Sequence, residues 1–101
     1  MNARLSELAL GELTLTPSFD RDVTGYTVSG FTVDSSYTLT CEPVYSDAEI
    51  TVSVINGKYN SETGKVKFEQ TLPASEGQIQ IRVECDEGYQ YYYINFNYPN
   101  S

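Results

Sequence analysis

Hydrophobic and polar residues alternate with a period of two along most of the chain, which is typical of β-strands that bury one face. Four segments show the pattern clearly. The side chains expected to face inward are Ile79, Ile81, Val83 and Cys85 in residues 78–85, Ile50, Val52 and Val54 in residues 49–54, Tyr37, Leu39 and Cys41 in residues 37–41, and Tyr92, Ile94, Phe96 and Tyr98 in residues 92–98. Weaker alternation predicts further strands at residues 8–10, 26–28 and 65–68.

Short turn signals separate these segments. They are Asn56-Gly57, Thr63-Gly64, residues 73–77 and Asp86-Glu87-Gly88, which combine Gly with Pro, Asn, Asp or Thr. About seven short strands at this spacing favour an all-β, antiparallel β-sandwich. Because no linker, charge block or internal repeat divides the chain, we expect residues 1–101 to form a single domain.

Three segments carry a pattern that resembles a known family. Thr16-Pro17-Ser18-Phe19 leads to Asp22-Val23-Thr24-Gly25-Tyr26-Thr27-Val28, Ala48-Glu49-Ile50-Thr51-Val52 leads to Asn56-Gly57, and residues 79–88 precede a tyrosine-rich strand. Together they resemble the bacterial cadherin-like β-sandwich family, which has an immunoglobulin-like fold. The resemblance implies a non-catalytic building block, of the kind used in bacterial surface proteins, glycan-handling proteins and phage particles.

The two cysteines depart from the small residues that are usual in that family. Cys41 and Cys85 occupy positions that resemble the pair bridged across immunoglobulin sandwiches. A disulfide there would stabilise the fold by about 4 kcal/mol in the chain-entropy model. The alternative is a pair of buried thiols that act as small apolar side chains. Both alternatives stay open, because the redox compartment decides between them.

The charge balance excludes several classes of function. The chain has 14 acidic and 6 basic residues, no histidine and a net charge of −8. This balance argues against nucleic-acid binding and against docking on anionic lipid, since both need Lys or Arg. Without histidine there is no His-dependent triad and no His metal site. No apolar run reaches the roughly 18 residues of a membrane helix. We therefore expect no membrane insertion and no cofactor.

Acidic residues gather in predicted turns. Asp86 and Glu87 beside Gly88 are weak candidates for calcium ligands, since Ca²⁺ prefers carboxylate and carbonyl oxygens. The preferred interpretation is solvated turn charge, with no metal site. No carboxylate lies in an apolar stretch that would raise its pKa towards that of a general acid. We therefore predict that the protein is not an enzyme.

The tyrosines are the most informative functional feature of the sequence. Alternation puts Tyr91 and Tyr93 on the face opposite Tyr92, and Tyr45 and Tyr59 fall in predicted loops. Exposed tyrosines offer large contact area, low ordering entropy and a polar tip, which suits contacts with proteins or sugars. These four are the candidate interface residues, whereas we interpret Tyr89 as structural.

These observations predict a structural or adhesive module. The chain begins at Met1 without a hydrophobic signal region, which favours a complete small virion protein that decorates a phage head or tail. One alternative is a module of a Gram-positive cell-surface protein, which would be extracellular. Another is a carbohydrate-binding module that uses Tyr91 and Tyr93. The expected partner is a capsid, tail or cell-surface protein, or a glycan in the last case.

Overall fold

The computed structural model describes residues 3–71 and 73–99, which form β-strands and no helix. The strands are β1 (Leu5–Leu10), β2 (Leu15–Thr16), β3 (Gly25–Val28), β4 (Ser36–Pro43), β5 (Glu49–Ile55), β6 (Lys58–Asn60), β7 (Lys65–Lys67), β8 (Glu76–Cys85) and β9 (Gly88–Asn97). They build a four-stranded sheet in the order β1-β4-β7-β6 and a five-stranded sheet in the order β2-β3-β9-β8-β5. The two sheets share one core, which confirms the predicted all-β sandwich.

The β8–β9 hairpin forms the centre of the five-stranded sheet. Its turn is Asp86-Glu87, and the pairing runs without a break from Cys85 opposite Gly88 to Glu76 opposite Asn97. Every inward side chain predicted for β9 is buried, and so are all but the last of those predicted for β8. These buried residues are Ile79, Ile81, Val83, Tyr92, Ile94, Phe96 and Tyr98. The period-two pattern therefore identifies the core face of both strands.

The structure has more strands than the predicted seven or so, and it is not wholly antiparallel. The unpredicted strands, β2 and β6, have two and three residues, which is too short for alternation to be recognised. In addition, β3 pairs with β9 in parallel. A parallel pair needs a long crossover connection, and here most of the chain lies between the two strands.

A β-bulge explains why the first strand was only partly predicted. The buried residues Leu5, Leu8 and Leu10 do not follow a strict period of two. The register between β1 and β4 shifts between Leu5 and Glu7, and the extra residue returns Leu5 to the core. The bulge thus extends the strand to Leu5, beyond the predicted start at Leu8.

Candidate functional site

A row of tyrosines runs along the outer face of β9. Tyr89, Tyr91 and Tyr93 project from alternate positions, away from the core that Tyr92 and Ile94 occupy. Tyr89 is 55% exposed, and Tyr91 and Tyr93 are half-buried. The Tyr91 and Tyr93 rings are nearly parallel, with centroids 5.9 Å apart and an interplanar angle of 9°. Tyr89 meets Tyr91 edge-on at 5.9 Å, so the three rings are in continuous contact.

An arginine on β8 caps the Tyr89 end of this row. The Arg82 guanidinium carbon lies 4.6 Å from the centroid of the Tyr89 ring, which is a cation–π contact. Arg82 also donates two hydrogen bonds to the Glu84 carboxylate, at 3.0 and 3.2 Å. These bonds raise the pKa of the Arg82 guanidinium and lower the pKa of the Glu84 carboxyl. The positive charge of Arg82 is thus balanced by Glu84.

Amide side chains continue the face beside Tyr93. Gln80 lies opposite Tyr93 in the β8–β9 register. Its Nε2 donates to Gln78 Oε1 at 2.7 Å, and Gln78 Nε2 donates to Asn95 Oδ1 at 2.8 Å. The amides therefore hold one another in place, and Asn95 Nδ2 also donates to the Tyr26 carbonyl oxygen at 3.3 Å. We call Tyr89, Tyr91, Tyr93, Arg82 and Gln80 the tyrosine face.

The strand on the other side of Tyr93 places no side chain beside its ring. Gly25 of β3 pairs with Tyr93 in the parallel register. A Cβ built at Gly25 would meet no atom within 4 Å, so the surface beside Tyr93 is open. The flank of Tyr93 that faces Gly25 is accordingly open.

The other two predicted interface tyrosines lie on other elements than β9. Tyr45 lies in the loop between β4 and β5, as predicted, and is 47% exposed. Tyr59 was predicted in a loop, but it lies on β6 and packs half-buried against the core. This strand has only three residues, Lys58–Asn60, which is too few for alternation to be recognised. The four tyrosines therefore do not form one surface.

Sequence reasoning missed part of the tyrosine face. Tyr89 was interpreted as structural only, yet it is the most exposed of the three ring positions on β9. Arg82 and Gln80 were not singled out at all. The Asp86-Glu87 turn held the missing signal, because a two-residue hairpin fixes the register and puts Arg82 opposite Tyr91.

Cys41 and Cys85 are free thiols in the structure, and both are half-buried. Each packs against the core cluster, as the inward phase predicted. Burial raises the pKa of the Cys41 thiol, and the nearby Glu42 carboxylate raises it further. A raised pKa keeps the sulfur protonated and makes it a poor nucleophile at neutral pH.

The weak calcium candidates, Asp86 and Glu87, form the tip of the β8–β9 hairpin. Together with Tyr45 and Cys85 they line a depression of about 190 Å³. Within residues 3–71 and 73–99, no group of three or more acidic or cysteine side chains is placed to hold a metal ion. The interpretation of the two acids as turn charges stays a prediction.

Comparisons with family models, with curated proteins and with solved structures found no match. The cadherin-like resemblance therefore stays a prediction that rests on the quoted motifs. In the part of the chain that the structure describes, no helix has the length and hydropathy required to cross a membrane.

Proposed function

We propose that this protein is a non-catalytic structural module that attaches to a protein assembly through the tyrosine face, with the surface of a phage head or tail as its setting. The observation that carries the proposal is the continuous row Tyr89, Tyr91 and Tyr93, capped by Arg82. Tyrosine and arginine are the residue types enriched at the energetic centres of protein interfaces. A row of three contacting rings supplies such a centre.

The charge distribution supports a protein partner. The chain carries a net charge of −8, yet the centre of the tyrosine face consists of the tyrosine rings and the uncharged Gln80. Arg82 is paired with Glu84, so the face adds little net charge of its own. Interface centres are depleted in unpaired charge because desolvating a charge costs free energy. The acidic remainder of the surface favours solubility and display.

The rigidity of the face also supports a binding role. The rings contact one another, and the hydrogen bonds among Gln80, Gln78 and Asn95 fix the amides. Side chains that are ordered before binding lose little further entropy in the complex. Binding here would therefore need little rearrangement of the face itself.

The Glu84 carboxyl bears on the prediction that the protein is not an enzyme. A general acid at neutral pH needs a raised pKa, as in a desolvated carboxyl group. The hydrogen bonds from Arg82 lower the pKa of Glu84. The Glu84 carboxyl thus favours the ionised form in its pair with Arg82.

Site-specific photo-crosslinking in the native organism tests the proposal. A photo-crosslinking amino acid at Tyr89 should give a discrete cross-linked partner in purified particles. The same residue at Thr38, an exposed position on β4 of the other sheet, is the matched control. A partner recovered equally from both positions, or from Thr38 alone, would contradict the proposal. Recovery from the cell envelope would place the module in the alternative setting, a Gram-positive cell surface.

The parallel stack of Tyr91 and Tyr93 favours glycan binding as a second candidate function. Parallel rings with one open flank, beside amides that donate and accept hydrogen bonds, also suit a sugar ring. A glycan array distinguishes the two candidates. Binding lost in Tyr91→Ala and Tyr93→Ala, and kept in Tyr45→Ala, would favour the glycan. An array without binding to the intact protein would remove this candidate.

A further inference from the structure

One of the two edges of the five-stranded sheet is strand β5, Glu49–Ile55. It pairs with β8 on one side, in an unbroken register from Glu49 opposite Glu84 to Ile55 opposite Gln78. On its other side no strand of the described residues pairs with it. A free edge presents a row of unpaired backbone donors and acceptors, which readily accept another strand.

The remaining three sheet edges carry features that protect against such pairing. Strand β2 has two residues and is followed by Pro17, and β1 is distorted by its bulge. Strand β6 has three residues and begins with Lys58, which forms an ion pair with Glu69. Short length, proline, bulges and lysine are the usual ways in which a sheet edge is made unreactive. These three edges are therefore poor sites for strand addition.

Strand β5 has none of these features. It is seven residues long, has no proline, lysine or bulge, and has its only charge at Glu49. Five of the seven residues are β-branched, which favours the extended conformation. They are Ile50, Thr51, Val52, Val54 and Ile55. Such an edge aggregates unless a specific strand pairs with it.

The inner side of β5 is only partly covered. Ile50, Val52 and Val54 point inward but are half-buried, unlike the fully buried inward residues of neighbouring β8. Strand β7 pairs with β4 only as far as Thr38, so the sandwich stays open between the rest of β4 and β5. A groove of about 740 Å³ lies there, lined by Leu39, Cys41, Ile50, Val52 and Tyr59 among others. A strand added to β5 would extend the sheet over this groove.

The sequence of β5 is complementary to itself in an antiparallel register centred on Val52. This register pairs all seven residues and keeps every inward side chain on the inner face. Glu49 then lies opposite Ile55 of the second copy, Ile50 opposite Val54, Thr51 opposite Ser53, and Val52 opposite Val52. No like charges are opposed, and β-branched residues face one another on the inner side. The same patch meets itself, as a two-fold dimer requires.

We propose that β5 is a dimerisation edge, at which two copies of this chain join their five-stranded sheets into one continuous sheet. Both tyrosine faces then lie on the same side of the joined sheet. Five strand spacings separate the two β9 strands, which is about 24 Å. The dimer is thus a bivalent presentation of the tyrosine face, although the pairing itself does not depend on the function proposed above.

Two double variants test the pairing at its central outer positions, Thr51 and Ser53, which are both exposed. T51E/S53E puts glutamate opposite glutamate twice across the interface, whereas T51E/S53K puts glutamate opposite lysine twice. In each monomer Thr51 lies opposite Arg82, so the glutamate introduced at this position has the same cation beside it in both variants. Circular dichroism and thermal melting check that both variants are folded. Sedimentation velocity over a concentration series then gives the oligomeric state.

We expect wild type and T51E/S53K to give the mass of a dimer, twice the 11.3 kDa of one chain. We expect T51E/S53E to give the mass of a monomer. Amide hydrogen exchange should slow at alternate β5 residues as wild-type concentration rises, and should not slow in T51E/S53E. A wild-type protein that is monomeric at millimolar concentration would overturn the proposal. So would a dimer that persists in T51E/S53E, or association that grows without limit. None of these outcomes bears on the tyrosine face, which crosslinking at Tyr89 tests separately.

Discussion

The hydroxyl of Tyr92 accepts a hydrogen bond from the backbone N–H of Leu5 at 3.1 Å, across the core from one sheet to the other. The same hydroxyl donates to the Arg21 carbonyl oxygen at 2.7 Å, and its ring is fully buried. One phenol thus ties β9 to β1 and to the loop before β3. Both backbone groups would lose a partner if the oxygen were removed.

Tyr92→Phe should therefore destabilise the protein by about 1–3 kcal/mol, the cost of leaving buried polar groups unsatisfied. Urea unfolding measures this change in the free energy of unfolding. Tyr93→Phe, the next residue on the outer face, is the matched control and should change that free energy by less than about 0.5 kcal/mol. Equal losses in both variants would mean that the hydroxyl of Tyr92 is not a structural link.

A second tyrosine closes the corner before β3. The Tyr26 hydroxyl lies 2.7 Å from the Asp20 carbonyl oxygen and 2.8 Å from that of Val23, and it accepts a bond from the Asp20 N–H at 3.1 Å. The motif Asp22–Val28, which carried the family resemblance, thus has a physical reason for its tyrosine. The ring anchors β3, and the hydroxyl holds the preceding turn.

Tyr26→Phe should loosen this turn as well as lower global stability, by about 1–3 kcal/mol. The Val23 N–H, which donates to the Asp20 carbonyl oxygen at 2.9 Å, should exchange with solvent faster in the variant. The Ala48 N–H, which donates to the Tyr45 carbonyl oxygen in another turn at 2.9 Å, is the internal control. Unchanged exchange at Val23 would contradict the assigned role of the hydroxyl.

Alternation predicts which side chains face inward, but not how deeply they are buried. Ile50, Val52 and Val54 show the same pattern as Ile79, Ile81 and Val83, yet the first set is half-buried and the second is fully buried. The difference comes from strand order, because β8 lies inside its sheet and β5 lies at the edge. Strand order depends on contacts between distant residues, which no local pattern contains.

In the tyrosine face, too, local alternation predicts some features, and others depend on contacts between distant residues. The outward direction of Tyr91 and Tyr93 follows from alternation and was predicted. The cation–π contact of Arg82 with Tyr89 depends on the hairpin register, and the open flank at Gly25 depends on the parallel pairing of β3 with β9. Parallel pairing of strands so far apart in sequence has no local signal, so Gly25 could not be assigned to the face.

A glycine packed against an aromatic ring provides a third prediction. A Cβ at Gly77 would overlap with both the Ile55 carbonyl oxygen and the Phe96 ring. Gly77→Ala should therefore destabilise by about 1–3 kcal/mol through overpacking. Gly25→Ala, where a Cβ meets nothing within 4 Å, is the matched control and should be close to neutral. Thermal melting of the two variants checks this, and a Gly77→Ala protein as stable as wild type would refute the close approach.

Alkaline pH should weaken the fold through Tyr98. Burial, with added repulsion from Asp34 and Glu69, raises the pKa of the Tyr98 phenol from 10.0 to about 12. The folded state therefore keeps this proton at a pH where the unfolded chain has released it. The contribution of the Tyr98 phenol to the free energy of unfolding is fully present below pH 10. It is lost as the pH rises through about 12.

Urea unfolding at several pH values measures this loss, with tyrosinate absorbance as a second readout. In Tyr98→Phe the fall in stability between pH 10 and 12 should be smaller than in wild type, because one of the titrating groups is gone. Identical pH profiles for the two proteins would show that Tyr98 ionises as easily in the fold as outside it.

The Cys41 thiol should resist alkylation in the folded protein. Its pKa is raised by burial and by Glu42, so little thiolate is present at neutral pH. Peptide-resolved mass spectrometry should show slow labelling of Cys41 by iodoacetamide. The labelling rate should rise at a higher pH than it does for a solvent-exposed thiol. Glu42→Gln should speed labelling modestly, since burial is the larger cause. Unfolding without reductant separates the alternatives left open by the sequence: two reactive thiols agree with the free cysteines of the structure, whereas none would mean a Cys41–Cys85 disulfide.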